Sequence, residues 1–275
     1  MNRPAVNLSI KNLTFGFGDA PLFENFSLDL GDESPAVILG PSGCGKTTLL
    51  KVLAGLLPES GSMGTGAARK KPEANRRRGG ESLHVPPAVI EAAPSASFVF
   101  QESRLLPWMK ALDNVILPIK RRMGTAEAES RARRFLDLAA LGDKAGSFPG
   151  ELSGGEKQRV SIARAFAFPA QAIFMDEPFQ SLDIPLRLEL MDMIKTLLET
   201  ENRLVIAVTH DPREAVYLGK RVIVLGKPPG GIVLDEALSL TPGERAYGSP
   251  AHSRLEARLL AALSGNRRGG SSCLT

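Results

Sequence analysis

Residues 36–47 read Ala-Val-Ile-Leu-Gly-Pro-Ser-Gly-Cys-Gly-Lys-Thr, and residues 47–57 continue as TTLLKVLAGLL. A strand apolar on both faces belongs in a parallel sheet covered by helices, and this one runs through a glycine-rich loop straight into a helix-forming stretch. The loop fits G-x-x-x-x-G-K-[ST] in the strand–loop–helix context that the motif requires. Its glycines let successive N–H groups point inward at phosphate oxygens, and the helix start adds positive potential. Gly40, Pro41, Ser42, Gly43, Cys44, Gly45, Lys46, Thr47 and Thr48 are therefore candidate phosphate contacts. Lys46 suits the β- and γ-phosphates, and Thr47 suits a Mg²⁺ ion.

Two further continuous apolar runs, AIFM (172–175) and LVIAV (204–208), predict more strands of the same buried sheet. Residues 6–15 and 23–30 alternate instead, which predicts antiparallel strands with Pro21-Leu22-Phe23 near the turn. RVIVLG (221–226) and GIVLDE (231–236) predict two strands around a Pro-Pro-Gly-Gly turn. Helices are expected from Lys46, near Thr125, at Gly155 and after Pro185. Residues 126–141 are amphipathic, with Phe135, Leu138 and Leu141 on one side. The pattern predicts an α/β core, an N-terminal antiparallel β layer and a helical inset around 103–150, without internal repeats.

The strand AIFM ends in Asp176-Glu177. Asp176 suits the coordination sphere of Mg²⁺, and Glu177 suits polarisation of an attacking water. Residues 152–159, LSGGEKQR, place two glycines at the start of a helix, where they do nothing for helix stability. Ser153 and bare Gly154-Gly155 would offer N–H donors to a phosphate with no Cβ in the way. Such a helix start could face its own phosphate loop or that of a second chain, and spacing alone leaves both open.

Composition narrows the class. The net charge of +4 has a local origin: Gly61–Ser82 carries six Lys/Arg against two Glu, and outside it 28 basic residues face 28 acidic ones. The body is therefore no basic nucleic-acid binder. Residues 62–94, rich in Gly, Arg and Ala, read as a solvated, flexible insert. The N-terminal stretch lacks a secretory apolar run, and no apolar stretch approaches the length of a membrane span. Cys44 and Cys273 sit in unlike contexts, and the three histidines lack ligand spacing, so a reduced cytosolic chain without disulfide or zinc is expected.

Five elements occur in order: GPSGCGKTT, a lone Gln101 after a buried strand, LSGGEKQR, FMDEPF followed by Ser181-Leu182-Asp183, and VTHD with His210. Together, over residues 6–236, they resemble the nucleotide-binding subunit of an ATP-binding-cassette transporter. The resemblance implies a P-loop NTPase core with parallel sheet, an N-terminal antiparallel β subdomain and a helical signature-bearing subdomain. It implies ATP and Mg²⁺ as ligands, and a head-to-tail homodimer in which Ser153, Gly154, Gly155 and Glu156 contact the ATP held by the opposite subunit. Gln101 matches the glutamine that touches Mg²⁺ and senses γ-phosphate, His210 the γ-phosphate switch, and Asp183 the aspartate linking the two sites. Phe17 sits where an aromatic ring stacks on adenine, with Phe15 as fallback.

The stretch QESRLLPWMKALDNV (101–115) and MDEPFQSLD are closest in kind to importer subunits of the nitrate, sulfonate and taurine type. That implies a peripheral protein on the cytoplasmic face of the membrane, driving separate permease subunits, indirectly a solute-binding protein, and a small anionic or organic cargo. Leu105, Leu106, Pro107 and Trp108 would border the groove for a permease helix. Gln180-Ser181 replaces a small Gly-Ala pair, and the 62–94 insert replaces a compact strand pair. The expected division is 1–240 for the ATPase domain, with 103–160 helical, and 241–275 for a C-terminal helix and disordered tail, with no sizeable regulatory domain after 240. A soluble DNA-maintenance relative would carry long coiled-coil or zinc-bearing insertions that are missing here. A catalytically decayed scaffold would lack some of Lys46, Asp176, Glu177 and His210, all present.

Overall fold

The computed structural model describes residues 8–17, 20–31, 33–57, 61–62, 89–91, 95–180, 182–201 and 203–265. Strands β1 (Leu8–Phe17) and β2 (Ala20–Leu30) form an antiparallel hairpin in which Leu8 faces Leu30 and Phe15 faces Phe23. Pro21-Leu22-Phe23 lies inside β2 rather than at the turn, because Phe23 is fully buried opposite Phe15 and its pairing carries the strand back to Ala20, with an irregularity in register between Phe23 and Phe26. Strand β3 (Ala36–Leu39) follows, then helix α1 (Lys46–Leu53).

Two short strands, β4 (Gly61–Ser62) and β5 (Val89–Glu91), both pair with β1: Phe15 faces Gly61, and Ile10 faces Ile90. The edges of the expected insert are thus strands that complete the N-terminal sheet. The flanking prolines and alanines in PPAVIEAAP hide this, because a three-residue strand leaves no measurable alternation. Most of the basic insert, Ser181, and the tail with Cys273 lie outside the described residues.

The second sheet has the order β10-β9-β3-β8-β7-β6, made of β6 (Ala96–Val99), β7 (Ala172–Asp176), β8 (Leu204–Thr209), β9 (Arg221–Leu225) and β10 (Ile232–Ala237) with β3. Its strands β9, β3, β8, β7 and β6 are parallel, and β10 closes the edge as an antiparallel hairpin with β9. All four residues of β3 are buried because the two faces enter different cores. Ala36 and Ile38 pack with the N-terminal sheet and α1, whereas Val37 and Leu39 pack with the helices opposite.

Between β6 and β7 stand α2 (Ala111–Ile116), α3 (Lys120–Met123), α4 (Thr125–Leu138), a 3₁₀ turn (Pro149–Glu151) and α5 (Gly154–Ala167). Ala128, Ala132, Phe135 and Leu136 of α4 are buried against α5. Helix α5 runs past residue 160, since VSIARAFA holds nothing that interrupts a helix, and its last turns cover the parallel sheet. Helices α6 (Ile184–Thr200) and α7 (Pro212–Leu218) join that layer, and α8 (Pro242–Arg245) and α9 (Pro250–Gly265) pack near α7. Among the described residues no helix is long and apolar enough to cross a membrane.

Phe135 is fully buried where α4 meets α5. Phe135→Ala should cost about 3–5 kcal/mol through lost transfer energy and the cavity left behind. A fall in the urea unfolding midpoint at unchanged slope would register this, and an unchanged midpoint would contradict the packing described.

Candidate functional site

Parallel register brings the motifs to one edge. Leu39 stands beside Thr209, Asp176 beside Val208, and Val99 beside Met175, so the loops that follow β3, β8, β7 and β6 emerge side by side. Ligands of open α/β sheets bind in this crevice, beyond the carboxyl ends of the strands.

The loop after β3 begins at Gly40, where a Cβ would come within 2.6 Å of the Cys44 sulfur. Cys44 is buried beneath the loop, and burial pushes its thiol above the ordinary value against the pull of Lys46, so it serves as packing rather than as a nucleophile. Gly45 has φ +99, a left-handed conformation costly for any residue with a side chain, and it caps α1. Ser42 and Gly43 are exposed along the loop, and Thr48 is half-buried. Lys46 is 5% exposed, and its ammonium donates to the Gly40 carbonyl at 2.9 Å and the Pro41 carbonyl at 3.1 Å.

Opposite the loop, the Thr47 hydroxyl donates to Asp176 Oδ1 at 2.8 Å. Glu177 has φ +44, an uncommon conformation outside glycine, and its N–H donates to the Val208 carbonyl at 3.1 Å. That kink turns its carboxylate into the crevice, where Oε1 lies 3.8 Å from Lys46 Nζ and Oε2 is hydrogen-bonded to His210 Nδ1 at 2.9 Å. Gln101 is exposed at the end of β6. A cavity of about 500 Å³ is lined by Leu22, residues 42–43 and 45–48, Gln101, Glu177, Gln180 and His210.

Asp176 is only 7% exposed, and burial pushes its carboxyl above the ordinary carboxylate value, against the opposing hydrogen bond from Thr47. A buried acid beside a hydroxyl and an open cavity is the environment that a divalent cation would relieve. With Gln101 the available donors are few and all oxygen, as suits a cation that keeps waters and substrate phosphates. Among the described residues there is no cluster of three or more His, Cys, Asp or Glu able to hold a metal.

The LSGGE stretch lies elsewhere. None of the described residues lining the cavity comes from 153–156. Ser153 caps α5: its hydroxyl accepts from the Glu156 N–H at 3.2 Å, and its own N–H donates to Glu156 Oε2 at 2.8 Å. These hydrogen bonds hold the Glu156 carboxyl below its ordinary value. The two glycines differ. A Cβ on Gly155 would meet Leu186 of α6 at 2.4 Å, so its bareness already serves packing within the chain. Gly154 is exposed with nothing within 4 Å of its would-be Cβ.

Asp183 caps α6, accepting from the Leu186 N–H at 3.0 Å. Phe17 ends β1; its side chain lies outside the described residues, and the fallback Phe15 is buried in the core. Trp108 is 71% exposed. Its loop is held by the buried Asn114, whose Oδ1 accepts from Leu106 N–H at 2.8 Å and whose Nδ2 donates to the Leu106, Met109 and Lys110 carbonyls. Sequence reasoning did not single out Asn114. It also missed Gln158, which donates to the Pro178 carbonyl at 3.0 Å, and Arg164, which donates to the Ser103 and Arg104 carbonyls. Arg187 was missed as well: it bonds Asp211 at 2.9 Å and the Leu182 carbonyl at 3.1 Å, joining the loop before α6 to the loop bearing His210. Gln158, Arg164 and Arg187 act across long sequence separations and Asn114 within eight residues, and none leaves a local pattern.

The family model described as ABC transporter matches residues 23–180. An aliphatic sulfonates import ATP-binding protein of Agrobacterium fabrum is 36% identical over 96% of this chain and 87% of its own length. One of the same description from Rhodococcus jostii is 37% identical over 93% and 92%. A solved ATP-binding cassette in a dimeric post-hydrolysis state, with ADP and Pi bound, matches at TM-score 0.64 and 27% identity, over 85% of this chain and all of that one. An inward-facing ABC transporter structure matches at TM-score 0.67 and 24% identity over 94% and 88%, a likeness of fold.

Because the folded state holds the Asp176 proton more tightly than the unfolded chain does, stability is lost as pH rises through the ordinary value of 3.8 toward the raised one. Asp176→Asn should therefore melt higher than the parent at pH 7 without nucleotide, and the gap should close on acidification below 3.8. Thermal melts across pH would check this, and a variant melting lower at pH 7 would contradict it.

Proposed function

The chain belongs to the ABC transporter family, and we propose that it is the ATP-hydrolysing motor of an importer whose membrane subunits are separate chains. The observation that carries the reading is the convergence of Lys46, the Thr47–Asp176 pair and the Glu177–His210 pair on one cavity at the carboxyl edge of a parallel sheet. The loop N–H groups and Lys46 would cradle the triphosphate. Thr47, Asp176 and Gln101 are the residues that would hold Mg²⁺, which when bound supplies charge neutralisation at the β- and γ-phosphates. Glu177 is aimed to accept a hydrogen bond from the attacking water, and His210 holds that carboxylate by its other oxygen.

Three equatorial γ-phosphate oxygens need donors on more than one side, and this chain's loop provides one side. The second side is assigned to Ser153 and Gly154 of another copy, in a head-to-tail dimer with two ATP molecules between the chains. Exposed Gly154 supports this, because no contact within the chain requires it to lack a side chain. Glu177→Gln should bind ATP, dimerise on light scattering, and turn over about 10²–10⁴-fold more slowly. Adding Gly154→Val should return that variant to monomer without lowering its melting temperature. A Glu177→Gln chain that stays monomeric with saturating ATP would sink the two-chain site.

The cargo assigned is an aliphatic sulfonate, following the relatives, and the permease contact is assigned to the loop of Leu105 to Trp108. Trp108 exposes a large apolar surface on a loop that Asn114 fixes, as a docking residue should. Growth of the host on an aliphatic sulfonate as sole sulfur source should require this chain. Trp108→Ala should abolish that growth and leave ATP hydrolysis by the isolated chain unchanged. Growth that is indifferent to the chain would refute the cargo, and growth indifferent to Trp108→Ala would refute the contact.

A further inference from the structure

At the edge of the parallel sheet opposite the phosphate loop, a cavity of about 350 Å³ opens where Pro35 leads into β3, Arg203 into β8 and Lys220 into β9. Its apolar wall comes from Pro35, Leu198, Leu218, Leu240 and Pro242. Around that wall stand Lys195, Arg203, Lys220 and Arg245, and among the described lining residues Glu199 is the single carboxylate.

The cations differ in how they are compensated. Arg203 bonds Glu201 at 2.8 Å, and Lys195 lies 3.6 Å from Asp192 and 3.3 Å from the Tyr217 ring centroid. Arg245 has no carboxylate partner among the described residues: its guanidinium donates to the carbonyls of Val216, Gly219 and Leu238. The exposed Lys220 ammonium meets no acceptor among the described residues. Burial pushes Arg245 below its ordinary value, and it does the same to Lys195, with Asp192 pulling the other way. An anion entering here would relieve charges that the described residues leave without a carboxylate.

The frame is rigid before anything binds. The Lys220 N–H donates to the Pro35 carbonyl at 2.8 Å, and its own carbonyl accepts from Leu238 N–H at 2.6 Å. The Ser34 hydroxyl donates to the Arg203 carbonyl at 2.8 Å and accepts from the Val205 N–H at 2.9 Å. A preformed, largely apolar cavity with a few converging charges is the usual form of a small-molecule site.

We propose that this cavity binds a small organic anion with an apolar body, its headgroup set between Lys220 and Arg245 and its chain against Leu198, Leu218 and Leu240. The site shares no residue with the phosphate-loop cavity.

Isothermal titration calorimetry with octanoate as the probe tests this. Octanoate should bind with one-site saturation at a Kd of ~0.1–1 mM. Octanamide, which keeps the body and loses the charge, should not saturate, nor should inorganic sulfate, which keeps charge and loses the body. Saturating ATP should leave the octanoate isotherm unchanged. Lys220→Glu, at an exposed position, should weaken octanoate about tenfold. Leu240→Asp, from the opposite wall, should weaken it at least as much. Octanamide binding as well as octanoate, displacement by ATP, or indifference to both variants while they melt like the parent would each overturn the assignment.

Discussion

The parallel hydrogen-bond ladder joining β3, β8, β7 and β6 is the constraint on which the rest of this molecule depends. Parallel strands need crossovers, so every carboxyl end emerges at one edge and every amino end at the other. Register then sets the depth: with Leu39 level with Thr209 and Asp176 level with Val208, the phosphate loop, the acidic pair and His210 leave the sheet at one height. Slipping β7 by one residue would turn Asp176 from the crevice toward a packed core. Burying that carboxylate away from Thr47 and the cavity would be costly, so the register resists the slip.

Charge placement follows from that edge. Lys46, 5% exposed, has backbone carbonyls on one side and Glu177 on the other, and Glu177 in turn meets His210. Behind this sits a second layer of charge. Arg187 bonds Asp211 and approaches Glu214 at 3.3 Å, and burial pushes Glu214 above its ordinary value even with Thr209 donating to it. Burial also works on Asp211, but the hydrogen bonds from Arg213 and the charge of Arg187 outweigh it and hold that carboxyl low. Arg187 also holds the Leu182 carbonyl, so the loop carrying Asp183 and the loop carrying His210 are tied by one side chain.

What the sequence discloses is what local chemistry dictates. Continuous apolar runs marked β3, β7 and β8, because residues buried on both faces leave no alternation. Glycines and the Lys46-Thr47 pair marked the phosphate loop, because few sequences fold round an anion. The start of β2 was misplaced because Pro21 reads as a turn residue while the packing of Phe23 carries the strand past it. β4 and β5 escaped because their pairing with β1 depends on a partner far away in sequence. Gln158, Arg164 and Arg187 escaped for the same reason, and Asn114 because its partners are main-chain groups of an irregular loop: each is an ordinary polar residue until folding brings those groups to it.

The glycine pair at the head of α5 separates two causes that look alike in sequence. At Gly155 a Cβ would press on the Leu186 side chain, so its bareness has a cause in the chain's own packing. Gly154 meets no such demand, and the capping exchange between Ser153 and Glu156 holds it outward on a rigid helix start rather than on a loop. Alanine there would cost nothing within the chain and would favour the helix. A bare position on an exposed helix start that does not line the cavity of its own phosphate loop has no cause within the chain, and that is the ground on which we propose that it meets a second copy.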